Sequence, residues 1–172
     1  MNSLREATAD SHRLAENTDL VKLIFAKQIT SEQYSNLLFN QLIYYTAIEQ
    51  HGLVDLETSR IKPIIADISE LAQTTFEVSP LCYDYADYIA LLTERQCWAH
   101  IYVHYLGDMM GGQMLKKAVP GQGRRFNFTD QAQAVSTIRM NVSIADAAEA
   151  NCAFNWTIRI YNDLYQRITR SR

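Results

Sequence analysis

The chain has 172 residues, with 16 basic side chains against 19 acidic ones and a net charge of −3. This balance argues against nucleic-acid binding through bulk charge, because domains that neutralise phosphates are normally strongly basic. Hydrophobic residues make up 48% of the chain and charged residues 20%, which excludes the disordered class and is ordinary for a folded domain.

The scarcity of turn-forming residues predicts an all-α protein, since only six glycines and three prolines interrupt the chain. Ser3 with Glu6 and Thr30 with Gln33 have the spacing of capping boxes, which mark helix starts. We expect a compact multi-helix bundle that forms one domain over residues 1–172. In chain order, the predicted helices span residues 4–16, 20–27, 31 to about 52, 61–71, 83–119 as two helices broken near 93–97, 130–141 and 145–168.

Three glycines fall within six residues of a strongly helical segment: Gly107, Gly111 and Gly112. Each costs about 1 kcal/mol relative to alanine inside a helix, so a compensating role is expected. Bare backbone lets a helix bend and approach a flat ligand closely. A close helix crossing is the alternative, but Asp108 favours a functional interpretation, because its carboxylate is suited to hold a water molecule or a proton.

The first predicted helix carries a second candidate site. Arg5 and His12 are seven residues apart and share nearly one azimuth on a continuous helix, about 10.5 Å apart along its axis. Glu16 lies one turn beyond His12. An imidazole that binds a metal, a carboxylate that accepts its other ring N–H and a cation for an anionic ligand tail would be arranged in this way. The alternative is a half-exposed histidine on a solvated helix face.

His100, His104 and Asp108 are also spaced by four, and a non-heme metal site is the corresponding hypothesis. A straight helix places the first and last of them about 12 Å apart, too far to share one ion without further ligands. The basic pairs at 116–117 and 124–125 are predicted to be solvated.

Cysteine usage and the chain start predict a cytoplasmic protein. Cys82, Cys97 and Cys152 are odd in number and have no C-x-x-C spacing, so we expect neither a disulfide framework nor a thiolate zinc site. The first residues become charged at once, unlike an export signal, and no run approaches the roughly 20 apolar residues of a membrane span. No membrane and no nucleic-acid partner is expected.

The two motifs together resemble the heme oxygenase family. Residues 4–12 and 15–17 look like its N-terminal helix, and residues 105–108, 111–113 and 115–117 look like its distal-helix signature. The likeness covers most of the chain in the same order and is similar to a short soluble microbial or viral form without a C-terminal membrane tail. It implies a helical bundle with the ligand between the first helix and a glycine-bent distal helix.

On the proximal side, the resemblance implies heme b as both cofactor and substrate, with its iron bound by His12. Glu16 would orient that imidazole, and Arg5 would pair with a heme propionate. Phe154 would form part of the pocket wall.

On the distal side, the resemblance makes Gly107, Gly111 and Asp108 catalytic. The two glycines would bring backbone over the porphyrin and steer oxygen toward one ring carbon, with Gly112 also against the heme. Asp108 would organise the water that delivers protons, and Tyr45 and Tyr102 would lie near that water.

The implied reaction cleaves heme to biliverdin, carbon monoxide and ferrous iron. It uses O₂ and electrons from an external donor, either ferredoxin or a flavoprotein reductase, and a bilin reductase could act on the product. Departures from the family pattern motivate an alternative, a non-catalytic heme-binding or trafficking protein on the same fold. His104 and Met110 stand where arginine and serine are common, so the distal hydrogen-bond network must be rearranged. Propionate-binding positions on the penultimate helix hold Gln133, Ser136 and Thr137.

Overall fold

The computed structural model describes residues 3–170, and within that range the regular structure is entirely helical. The all-α prediction is confirmed. The first two and last two residues of the predicted domain lie outside the described residues. Within residues 3–170, no helix combines the length and the apolar character needed to cross a membrane.

Ten α-helices and two short 3₁₀ turns follow one another in the described range. The helices are α1 (Leu4–Ala7), α2 (Ala9–Glu16), α3 (Asp19–Phe25), α4 (Ser31–Glu49), α5 (Ile61–Leu71), α6 (Pro80–Ala90), α7 (Glu94–Met110), α8 (Gly112–Lys116), α9 (Gln131–Met140) and α10 (Ala147–Arg170). The 3₁₀ turns span Arg124–Phe126 and Ile144–Asp146.

Both predicted capping boxes form. The hydroxyl of Ser3 accepts from the Glu6 backbone N–H at 3.2 Å, and the Glu6 carboxylate accepts from the Ser3 N–H at 2.7 Å. Thr30 and Gln33 make the equivalent pair at 3.2 and 3.0 Å. These reciprocal bonds satisfy backbone donors that would otherwise have no partner at a helix start, and so fix where α1 and α4 begin.

The prediction of one continuous helix over residues 4–16 is wrong in one respect. In the structure this helix is interrupted at Thr8, which separates α1 from α2. The Thr8 hydroxyl donates to the carbonyl of Leu4 at 2.9 Å and closes α1 there. Arg5 and His12 therefore lie on two successive helices. The azimuth expected for one continuous helix does not apply to them.

A large apolar cluster surrounds α4, which packs against both α5 and α6. A smaller cluster joins α1 and α2 to the first half of α7 and to α10. Its buried members are Leu4, Ala15, Ala99, Val103, Ala150, Ala153 and Phe154. Since α2 and α7 both pack on α10, this small cluster sets the position of the His12 helix relative to the glycine-rich helix.

Candidate functional site

His12 lies on α2 with an accessible imidazole. Its side chain is 54% exposed, and its Nδ1 atom is 3.4 Å from a carboxylate oxygen of Glu16, one turn further along. The ring meets Phe154 of α10 edge-on, with centroids 5.7 Å apart. The Nε2 atom has no hydrogen-bond partner among residues 3–170, so the ring is held on one side and accessible on the other.

Arg5 is exposed on α1, and its guanidinium makes no hydrogen bond or ion pair with another described residue. An exposed, unpaired guanidinium can receive an anionic group without first breaking a protein contact. The structure therefore leaves Arg5 available, while the interruption at Thr8 separates it from the His12 helix.

The three glycines of the predicted distal helix do not face the same surroundings. A Cβ atom added to Gly107 would meet nothing within 4 Å, and one added to Gly111 would meet only the Gly107 carbonyl, at 3.3 Å. Both residues are exposed. Gly112 is buried, and a Cβ there would lie 2.5 Å from the Phe126 ring. Gly107 and Gly111 thus present bare backbone to open space, whereas Gly112 allows α8 to pack on Phe126.

Asp108 lies next to this bare backbone, and its side chain points into a buried network. The hydroxyl of Tyr45, on α4, donates to Asp108 Oδ2 at 2.6 Å. Tyr45 therefore contacts the acid directly. Tyr102 is half-buried and packs beside the small apolar cluster, with no hydrogen bond to Asp108.

Arg125 completes the network, and the sequence analysis missed it. Its Nη2 atom lies 2.7 and 2.8 Å from the two carboxylate oxygens of Asp108 and 3.4 Å from the Tyr45 hydroxyl. Arg125 is only 2% exposed, so the prediction that this basic pair is solvated is wrong for it. No sequence spacing signals the contact, because a 3₁₀ turn 17 residues beyond Asp108 supplies the side chain.

The surroundings of Arg125 and Tyr45 determine whether each side chain is charged. Burial alone would lower the pKa of Arg125, but the Asp108 carboxylate and nearby tyrosines raise it more, so the guanidinium stays charged. Burial, together with the Asp108 charge, raises the pKa of Tyr45 well above its usual value. Tyr45 therefore remains a neutral hydrogen-bond donor to Asp108.

His100 and His104 do not form a metal site with Asp108, which corrects the non-heme hypothesis. The hydroxyl of Tyr85 lies between the two imidazoles, 2.6 Å from His100 Nδ1 and 2.9 Å from His104 Nε2. The other nitrogen of His100 is 2.8 Å from a carboxylate oxygen of Glu149. No cluster of three or more His, Cys, Asp or Glu side chains in residues 3–170 could hold a metal ion.

Sequence comparison places the chain among known enzymes. The family profile described as heme oxygenase matches residues 1–151. A heme oxygenase from Porphyra purpurea is 27% identical over an alignment of 209 positions that covers 98% of this chain and 88% of the relative. The heme oxygenase of Pyropia yezoensis is 30% identical, with coverage of 95% and 84%. Since the first alignment is longer than this chain, it contains positions where this chain has no residue.

The fold is also similar to solved structures. Heme oxygenase-1 from the cyanobacterium Synechocystis, solved in complex with heme, superposes with a TM-score of 0.81. It is 25% identical, and the match covers 98% of this chain and 93% of that one. The heme oxygenase of Leptospira interrogans, 21% identical, has the same fold with a TM-score of 0.80.

Proposed function

Because the chain belongs to the heme oxygenase family, and is thus a heme-degrading enzyme, we propose that it converts heme b to biliverdin, carbon monoxide and ferrous iron. The reaction uses O₂ and electrons from an external donor, ferredoxin or a flavoprotein reductase. One observation carries the proposal: an accessible imidazole on α2 and bare glycine backbone on α7 are both held on α10, and a buried acid adjoins the glycines.

The proximal residues fit an iron porphyrin. His12 offers an unpartnered Nε2 atom, while Glu16 is close enough to Nδ1 to hold the ring and its tautomer. Phe154 restrains the ring through its edge-on contact and presents an apolar surface. Arg5 is free to pair with a propionate. On this basis we propose His12 as the residue that binds the iron and Arg5 as the partner of a propionate.

The distal residues fit the opposite face of the same flat group. The space beside Gly107 is open, because a Cβ atom added there would have no neighbour within 4 Å. The bare backbone can therefore contact a planar ring directly. Gly111 continues that surface one turn later. Gly112 contributes indirectly, because its close approach to Phe126 sets the path of α8.

When bound, the heme iron supplies O₂ activation, and the porphyrin ring is the structure that is cleaved. The protein positions and protonates. Gly107 and Gly111 limit which edge of the ring is accessible from the distal side. Asp108 accepts hydrogen bonds from Tyr45 and Arg125. Its carboxylate would hold distal water and so place a proton source on this side of the pocket. By the family resemblance, Tyr102 would lie near that water.

The setting that we propose is the cytoplasm. Cys82, Cys97 and Cys152 are all free thiols, which is the usual state of cysteines in a reducing compartment. A bilin reductase would be the natural consumer of the product there.

Hemin titration of the purified protein, followed by turnover, tests the function. We expect a one-to-one complex whose Soret band decays into a bilin spectrum when ferredoxin, its reductase, NADPH and O₂ are added, with catalase present to remove free peroxide. The His12→Ala variant should lose the iron ligand, and added imidazole should partly restore bilin formation. His51→Ala is the matched control, because His51 binds the carbonyl of Ile89 away from this site.

A stable heme complex that yields no bilin with any donor would instead favour the heme-binding or trafficking alternative. Full activity and an unchanged heme spectrum in His12→Ala would remove His12 as the iron ligand.

A further inference from the structure

Arg125 forms a buried ion pair with Asp108, although it lies in a 3₁₀ turn 17 residues further along the chain. A single nitrogen, Nη2, reaches both carboxylate oxygens, at 2.7 and 2.8 Å. The side chains of Arg125 and Asp108 are 3% and 10% exposed. Water and salt therefore screen this pair much less than a surface pair.

The backbone around Arg125 is fixed by two further buried charges. The Asp67 carboxylate accepts from the backbone N–H groups of Arg124 and Arg125, each at 2.9 Å. The guanidinium of Arg60 donates to the carbonyls of Arg125 and Asn127, at 2.6 and 2.7 Å. The backbone of Arg125 is consequently pre-organised, so little backbone freedom remains to be lost when the side chain binds Asp108.

Stability alone does not account for this arrangement. A buried ion pair is often no more stabilising than apolar residues of the same volume. In addition, Arg125 Nε is buried without a hydrogen-bond partner among residues 3–170, and an unsatisfied donor costs free energy. Positions that break the rules of favourable packing in this way are commonly functional.

Helix α7 itself places no arginine one turn before Asp108, so the guanidinium must come from elsewhere in the chain. His104 lies one turn before Asp108 on α7, where the family resemblance leads one to expect arginine. Its ring is bound to Tyr85 and does not reach the carboxylate by any described hydrogen bond. The positive charge next to Asp108 comes instead from the 3₁₀ turn that follows α8.

We propose that Arg125 is the positioning residue for Asp108, which holds both carboxylate oxygens at the angle needed to bind distal water. This inference rests on the proposed function. Arg125 acts through Asp108 and contacts neither heme nor oxygen itself. In this chain the distal acid is thus controlled by the loop between α8 and α9, which Asp67 and Arg60 in turn hold in place.

Three variants test the role: Arg125→Met, Arg125→Lys and, as the control, Arg95→Met, whose exposed side chain pairs with Asp146 at the start of α7. Heme affinity comes from hemin titration and the rate from bilin formation in a single turnover. A readout independent of turnover is the C–O stretching frequency of carbon monoxide added to the reduced heme complex, which responds to the local field.

In Arg125→Met we expect nearly unchanged heme affinity, a rate about 10-fold to 100-fold lower and a shifted, broadened C–O band. Arg125→Lys should recover part of the rate and of the band position, and Arg95→Met should match the wild type. A wild-type rate and band in folded Arg125→Met would overturn the inference.

If Arg125→Met does not fold, Arg125→Lys decides the question, because a lysine ammonium keeps the charge but has a different geometry. An intermediate rate and band support the positioning role, and wild-type values overturn it. If the wild type cleaves no heme, the proposed function fails, while the band comparison still tests Arg125.

Discussion

Two buried polar networks on α7 have the same helical spacing and different chemistry. The acid network, formed by Asp108, Tyr45 and Arg125, contains a charged pair and adjoins the bare glycine backbone. The histidine network runs from His104 through Tyr85 and His100 to Glu149. Spacing by four residues places side chains on one face of a helix, but the elements packed against that face decide what those side chains do.

The histidine network is internally satisfied. Hydrogen bonds from His100 and Tyr88 lower the pKa of Glu149 despite partial burial, so this group accepts only. Burial lowers the pKa of His100, and that of His104 to about 3, so both rings are neutral at physiological pH. The pattern then assigns each proton: His100 donates to Glu149, Tyr85 donates to His100, and His104 donates to Tyr85. We interpret this network as structural.

The sharpest way to separate the two networks is Asp108→Asn, which preserves shape and removes the charge. We expect bilin formation to fall about 100-fold, because a positioned proton-transfer group contributes at least that much. Heme binding should persist, since His12 and Arg5 are untouched. The measurement is the rate of bilin formation against the heme dissociation constant, with exposed Asp84→Asn as the control. An unchanged rate would remove Asp108 from the mechanism.

The sequence predicted what depends on neighbouring residues along the chain. Helix positions followed from capping boxes and apolar spacing, so the helix over residues 61–71 was predicted with its observed ends. The expectation that Tyr45 lies near the distal water rested on family resemblance. Arg125 was missed because it lies in a turn held by Asp67 and Arg60, 17 residues beyond Asp108, and no local pattern encodes such a contact.

The histidines were misread for a similar reason. His100 and His104 share a helix face, which made a metal site an open hypothesis, but Tyr85 on α6 lies between them. The hydroxyl of Tyr85 contacts both histidines, and that of Tyr45 donates to Asp108. These contacts become visible only when α4 and α6 are placed beside α7.

The comparison also predicts how stability depends on pH. His104 has a pKa of about 3 when folded and about 6.5 when unfolded, so below pH 6.5 the unfolded chain binds a proton that the folded chain does not. Its contribution to stability is complete above pH 6.5 and falls by about 1.4 kcal/mol per pH unit as the pH decreases toward 3.

His104→Gln should flatten this dependence, because glutamine can still donate to Tyr85 but does not titrate in this range. Urea unfolding between about pH 7 and about pH 5 measures the slope, and bilin formation at neutral pH should be little changed. A slope equal to that of the wild type would mean that His104 is not held neutral by its surroundings.

The smallest expected effect concerns the glycine face beside the acid network. Gly107→Ala adds a methyl group where nothing lies within 4 Å, so the protein without heme should become more stable by about 1 kcal/mol, the helix preference of alanine over glycine. The same methyl group should weaken heme binding, because it occupies the surface that we assign to the ring. Gly112→Ala provides the contrast: its Cβ would clash with Phe126 and should lower stability by about 1–3 kcal/mol. The measurements are thermal unfolding of the heme-free protein and hemin titration. A Gly107→Ala variant that is more stable and binds heme equally well would place the ligand elsewhere.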